Sequence, residues 1–194
     1  MNKTYTENKK FEKADFTEQP FDKGEYENCT FSGCNFSDTD LSGTNFSNCS
    51  FVNSNLSMVK LSKTVLREIK FRDCKLLGVG FEHCSSFTFS VQFENCLLNL
   101  SSFYKLGLKK TIFKNSSLHE VDFTECDLGA AIFDNCDLTR AIFKNTNLGK
   151  ADFRTSINYL ISPTNNKIKK AKFSMQGIQG LLGEFDIEIE SPGQ

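Results

Sequence analysis

From Phe11 to Phe81 every fifth residue is a large apolar one, and the same beat resumes at Phe93 and holds to Phe153. The first run includes Phe16, Phe21, Tyr26, Phe31, Leu41, Phe51, Leu61 and Phe71; the second includes Leu98, Phe103, Phe113, Phe123, Phe133 and Phe143. A helix returns a side chain to one face about every 3.6 residues and a strand every second residue, so neither accounts for a spacing of five. The unit is therefore a short extended stretch plus a turn, copied along a solenoid in which each copy touches only its neighbours. The chain, with 194 residues, is long enough to build one continuous core that way. The 20 Phe, set against no Trp, are what such a repeat demands.

Side chains alternate along extended backbone, so the residue two before each large one points inward with it. That slot holds small residues: Ala14, Thr39, Ser54, Val79, Ala131, Ala151. It also holds Cys29, Cys34, Cys49, Cys74, Cys96, Cys126 and Cys136, and Cys84 when the first register is continued. The cysteines read as small core fillers, not as disulfide or zinc ligands. The residue between slot and centre points outward and is often Asp or Asn, as at Asp15, Asn35, Asp40, Asn55, Asp122, Asp137 and Asp152. The two residues after the centre are rich in turn formers.

Units such as Ala151-Asp152-Phe153-Arg154-Thr155 and Cys136-Asp137-Leu138-Thr139-Arg140 resemble the A(D/N)LXX pattern of the pentapeptide-repeat family. The resemblance covers most of the chain and implies an all-β fold, a right-handed quadrilateral β-helix with four units per coil. Phe11, Phe31, Phe51 and Phe71 recur at twenty, as do Phe93, Phe113, Phe133 and Phe153. Two extra residues between Phe81 and Phe93 would join them into one column. The organisation expected is a polar arm at 1–10, a repeat body at 11–173 and a tail at 174–194.

Two interruptions stand out. Residues 82–92 shift the register, and Phe87 and Phe89 fit neither run; they read as a corner bulge or an exposed recognition element. Residues 156–166 read as a loop containing Tyr159 and Leu160. In the tail, Ile178, Leu181, Leu182 and Phe185 fall at helical spacing, which predicts a short C-terminal α-helix that caps the rod or pairs two copies. Asp186 to Glu190 alternates as a strand would. The tail, from Ala151 through Pro163, Asn166, Ile168 and Lys169 to Gly180-Leu181-Leu182, resembles the ends of bacterial proteins of the quinolone-resistance (Qnr) and microcin-immunity type. The bulge at Phe89-Ser90, followed by Cys96, Phe103 and Phe113, resembles the microcin-immunity proteins as well. Those resemblances imply protection of DNA gyrase or topoisomerase IV and a homodimer joined at the tails.

The same resemblance implies that such proteins mimic DNA, and charge gives that expectation little support. The net charge is −1, from 24 acidic and 23 basic side chains. The densest acidic stretch, Glu120, Asp122, Glu125, Asp127, Asp134 and Asp137, turns a corner with each unit and so runs around the rod, not along it. Lysine and arginine bands on either side predict attraction between neighbouring coils. Direct nucleic-acid binding is not expected from this balance. Ile112 and Ile132 sit in a normally polar outward slot of one side, with Ile142 elsewhere, which suggests a covered patch. No phosphate loop appears, and His83 and His119 have no acid or nucleophile partner, so no enzyme, cofactor or metal site is expected. A polar start without an apolar stretch, and no membrane-length apolar segment, point to the cytosol. The alternative function is a protein-binding scaffold unrelated to topoisomerases.

Overall fold

The computed structural model of the protein describes residues 4–188 and 190. The chain winds as a parallel β-solenoid with four faces, named here I to IV in chain order from the face that carries Phe11. Face I is a seven-stranded parallel sheet whose rungs align Phe11 with Phe31, then Phe51, Phe71, Phe93, Phe113 and Phe133. The two-residue insertion before Phe93 is real, since Phe71 pairs directly with Phe93. Face IV is a four-stranded sheet in its first half only, built from Thr4–Glu7, Gly24–Glu27, Asn45–Ser47 and Val65–Arg67. Faces II and III, and the rest of face IV, are held by single parallel bridges such as Asn35 to Asn55 and Gly107 to Asp127. Among the described residues, no helix is long and apolar enough to cross a membrane.

The core is two stacks of rings. On face I the rings from Phe11 to Phe173 lie 4.5–5.4 Å apart and nearly parallel. On the opposite face III, Phe81, Phe103, Phe123 and Phe143 stack in the same way. The two stacks meet edge to face, with centroids 5.7–6.0 Å apart, the arrangement the ring quadrupole favours. Each fully buried Phe contributes about 1.5–3 kcal/mol of apolar transfer, so the column is the main source of cohesion.

The corners are of two kinds. Most corners of faces II and III close on themselves: the amide three residues on donates to the centre's carbonyl, as Thr39 does to Phe36 and Ala141 to Leu138. There the outward Asp or Asn accepts from the backbone two residues further on, as Asp40 does from Ser42 and Asp137 from Thr139. The face I corners stay open for most of the rod. Their centre carbonyls instead accept from the slot residue of the next coil: Phe11 from the Cys34 thiol, Phe31 from Ser54, Phe51 from Cys74, Phe71 from Cys96, Phe113 from Cys136 and Phe133 from Ser156. At Phe153 the face I corner closes, through the Ser156 amide, and its outward residue becomes Asp152. The second residue after the centre takes a left-handed φ at most corners, and Asn fills it repeatedly along face I at Asn53, Asn95, Asn115 and Asn135. All eight cysteines are buried free thiols, and burial pushes Cys126 up to about 12 and Cys136 to about 11.

Two expectations about the far end are corrected. The predicted C-terminal α-helix is a single 3₁₀ turn, Ile178–Leu181. Leu181 packs against the core and Leu182 is half-buried, but Ile178 and Phe185 are exposed, so the four do not form one covered stripe. Nor is there a strand at 186–188; Ile189 lies outside the described residues.

The outward carboxylates make the rod acid-sensitive. Burial alone would raise Asp137, yet hydrogen bonds from Thr139, Asn158 and His119 outweigh it and bring it down to about 2. Asp40 and Asp152 are likewise lowered, first by hydrogen bonds from Lys23 and Arg154. A lowered folded pKa contributes stability above the unfolded value of about 4 that is lost as pH falls through the folded value. The melting temperature is therefore expected to fall steadily from about pH 5 to about pH 2. Asp137→Asn should flatten part of that fall in a pH series of thermal melts.

Candidate protein-docking site

The register shift at 82–92 falls on face IV, where the sheet stops. After Val65–Arg67 the chain makes two 3₁₀ turns, Phe81–His83 and Ser86–Thr88, in place of the next strand. The bulge is tied to the coil before it: Ser85 donates to the Thr64 carbonyl, Ser90 to Leu66, and Ile69 donates to Ser90. Phe87 and Phe89 then part company. Phe89 turns in and meets Phe81 edge-on at 6.2 Å, while Phe87 is 95% exposed. Thr88 borders a shallow groove on face IV with Tyr5, Glu25, Glu27, Val65 and Arg67. Tyr5 closes one side of it by donating to Glu27, which pushes its hydroxyl up to about 12.

Behind the bulge, Glu82 and His83 stand at a face III groove floored by Gly78 and Gly80. Glu82 Oε2 is buried without a partner, and His83 Nε2 lies 3.9 Å from the other carboxylate oxygen. Met58 and Leu100 flank Gly78 on the adjacent coils, and with Leu97 they leave an apolar patch in the open. This patch is absent from the expectations drawn above. Its signal is Leu97, an apolar residue in an outward slot, as at Ile112 and Ile132. Those two do pair on face I, and Ile142 lies on face III opposite Asp122. Nothing covers Ile132 or Ile142, which remain exposed.

Residues 156–166 do not leave the rod as a loop. The coil keeps its spacing: Asn145 donates to the Asn165 carbonyl, and Asn166 caps the Thr146 amide from twenty residues on. What changes is the occupant. The centre position is Asn158, which turns out in a left-handed conformation and donates to Asp137. Its neighbour Tyr159 takes the vacant core place, only 3% exposed, between Phe153 and Phe173. Burial raises the pKa of its hydroxyl. Leu160 points into solvent. Of the four residues proposed for partner contact, Phe87 and Leu160 are therefore at the surface, while Phe89 and Tyr159 serve the core.

Four acids of the band have a partner on a neighbouring coil, three of them a lysine or arginine, while Asp122 and Asp134 have no ion pair among the described residues. Lys105 pairs with Glu125 at 3.5 Å, Lys109 with Asp127 at 3.0 Å, Arg140 with Glu120 at 3.4 Å and His119 with Asp137 at 2.8 Å. Exposed pairs of this kind contribute little stability each, but they remove any continuous negative stripe.

A rod of this cross-section, with a ring-stacked core and its irregularities at two interruptions, defines a class: a repeat solenoid with a filled core. The pentapeptide repeat region model matches residues 6–81 and 85–159, and the chain belongs to the pentapeptide-repeat family. The gap between the two matches falls at the start of the bulge. No curated protein sequence matches the chain. Among solved structures it is similar to full-length QnrB1, a plasmid-mediated fluoroquinolone resistance protein, at 18% identity and a TM-score of 0.62, covering 95% of this chain and 100% of that one. A trypsin-treated QnrB1 variant gives the same score over 96% of this chain and 100% of that one, also at 18% identity. HetL from the cyanobacterium Nostoc sp. strain PCC 7120 is 16% identical, with a TM-score of 0.41 over 90% of this chain and 86% of that one.

The tail docks through a glycine. A side chain at Gly180 would overlap the Tyr159 carbonyl, and Gly180 in turn accepts from the Ile161 amide. Gly180→Ala is expected to cost about 1–3 kcal/mol locally and to free the tail. Limited proteolysis should then cut after residue 173 faster than in the parent, with the β-sheet circular dichroism unchanged.

Proposed function

We propose that this chain is a non-enzymatic docking rod that offers the Phe87 bulge to a protein partner, and that the partner is a type II topoisomerase, DNA gyrase or topoisomerase IV. Family members of the Qnr kind are in general non-enzymatic. The observation that carries the docking site is Phe87 itself. A large apolar ring left almost wholly in solvent, on a turn tied to a rigid coil by three backbone hydrogen bonds, is a pre-ordered anchor. Support for the choice of partner comes from the Qnr-like tail and from the full-length likeness in shape to a fluoroquinolone resistance protein. Recognition then works through a shaped apolar contact and not through imitation of phosphates, because the acids run around the rod and three of them, Glu120, Glu125 and Asp127, are paired to arginine or lysine.

That same pairing favours a second reading, a scaffold whose partner has no connection with DNA enzymes. A supercoiling assay with purified gyrase and a fluoroquinolone separates the two. The expected result is restored supercoiling with the wild-type chain, and about tenfold more protein needed with Phe87→Ala. No protection or inhibition over a wide concentration range overturns the topoisomerase reading. Equal potency of Phe87→Ala overturns the docking site.

A further inference from the structure

The overall charge conceals one strongly polarised face. In the second half of face IV, Lys150, Lys167, Lys169 and Lys170 line one shallow groove with Asn147 and Gly149. Among the described residues none of these four lysines forms an ion pair. Two coils earlier on the same face, Lys109 is engaged by Asp127 while Lys110 has no such partner. Asp127 is the one acid in that stretch of the face.

Of the glycines on this face, Gly149 lines the groove, and Gly129 and Gly107 lie one and two coils before it. Gly107, Gly129 and Gly149 stand on this face, and none has a left-handed φ, so the backbone conformation does not call for glycine at any of them. A Cβ at Gly107 would meet nothing. At Gly129 and Gly149 a Cβ would crowd the side-chain oxygens of Asp127 and Asn147, which accept from those same amides.

From these observations we infer that the face IV groove binds the phosphate backbone of a nucleic-acid duplex, without reading its sequence. Lysines are point charges that hold phosphates well, whereas bidentate recognition of carboxylates is the work of arginine, and the groove contains none. No aromatic side chain lines it to stack the bases of a single strand. Its cations form a compact cluster, with Lys167, Lys169 and Lys170 on one coil and Lys150 on the coil before, a span that neighbouring phosphates of one strand can meet. The acids of the tail, Glu184, Asp186 and Glu188, make no ion pair with these lysines. This inference reverses the expectation drawn from net charge, and it does not depend on which protein the Phe87 bulge meets.

The test is fluorescence anisotropy of a labelled random-sequence DNA duplex with the full chain and no topoisomerase present. Four phosphate contacts predict an affinity that falls on the order of 100-fold between about 50 mM and about 200 mM salt. The variant Lys150→Gln/Lys167→Gln/Lys169→Gln/Lys170→Gln should lose at least about tenfold in affinity at low salt, with an unchanged thermal melt. A matching set, Lys60→Gln/Lys63→Gln/Lys70→Gln/Lys75→Gln, should bind nearly as the parent does. No duplex binding at low salt overturns the inference, and so does quadruple-variant binding equal to that of the wild type. Polyglutamate of matched charge binding as tightly as the duplex also overturns it, and assigns the groove to an acidic protein.

Discussion

Every turn of a square solenoid leaves a backbone carbonyl at a corner, inside the wall and away from water, and that carbonyl must find a donor. The structure uses two solutions. A closed corner supplies the donor from its own amide three residues on and clamps the turn with an outward Asp or Asn. An open corner borrows the donor from the next coil, through a thiol or hydroxyl in the small inward slot. Leaving such a group unpaired costs about 1–3 kcal/mol, which is large against the stability of one coil. Cysteine and serine fill the slot down the open face I corners for that reason, and Cys29 and Cys49 do the same on face IV; some closed corners accept a second donor from the next coil as well, as Phe103 does from Cys126 and Phe123 from Thr146.

Much of the architecture was legible from the beat of five. It placed Phe71 over Phe93, put the rings on one face and assigned the slots. It treated the cysteines as filler, however, because spacing reveals size and direction but not which carbonyl lacks a partner. The tail was misread for a different reason. Ile178, Leu181, Leu182 and Phe185 have helical spacing, but Gly177, Gly180 and Gly183 run through the same stretch and weaken a helix by about 1 kcal/mol each. Gly180 is there because the tail's backbone lies against Tyr159. Tyr159 itself was hidden by the register, since the core place belongs by count to Asn158, which cannot be buried there without partners.

The two surfaces proposed for binding lie where the repeat stops following its own rules. At 82–92 the two additional residues end the face IV sheet, and the 3₁₀ turn at Ser86–Thr88 breaks the alternation that would put Phe87 and Phe89 on one side, so that Phe89 goes inward and Phe87 outward. Beyond it, face IV trades strands for bridges, glycines replace side chains, and the lysines stand unopposed. One rod thus carries an exposed apolar ring near its middle and a cluster of lysines toward its end, on the same face.

The corner account is tested most directly by changing the open-corner thiols together. Cys34, Cys74, Cys96 and Cys136 should be replaced all by Ser in one chain and all by Ala in another, and unfolding followed in urea. Serine keeps a donor for each Phe carbonyl, so that chain should stay within about 1 kcal/mol of the parent, while the alanine chain should lose roughly 4 kcal/mol. Equal stability of the two chains would contradict the account and return the cysteines to the role of filler.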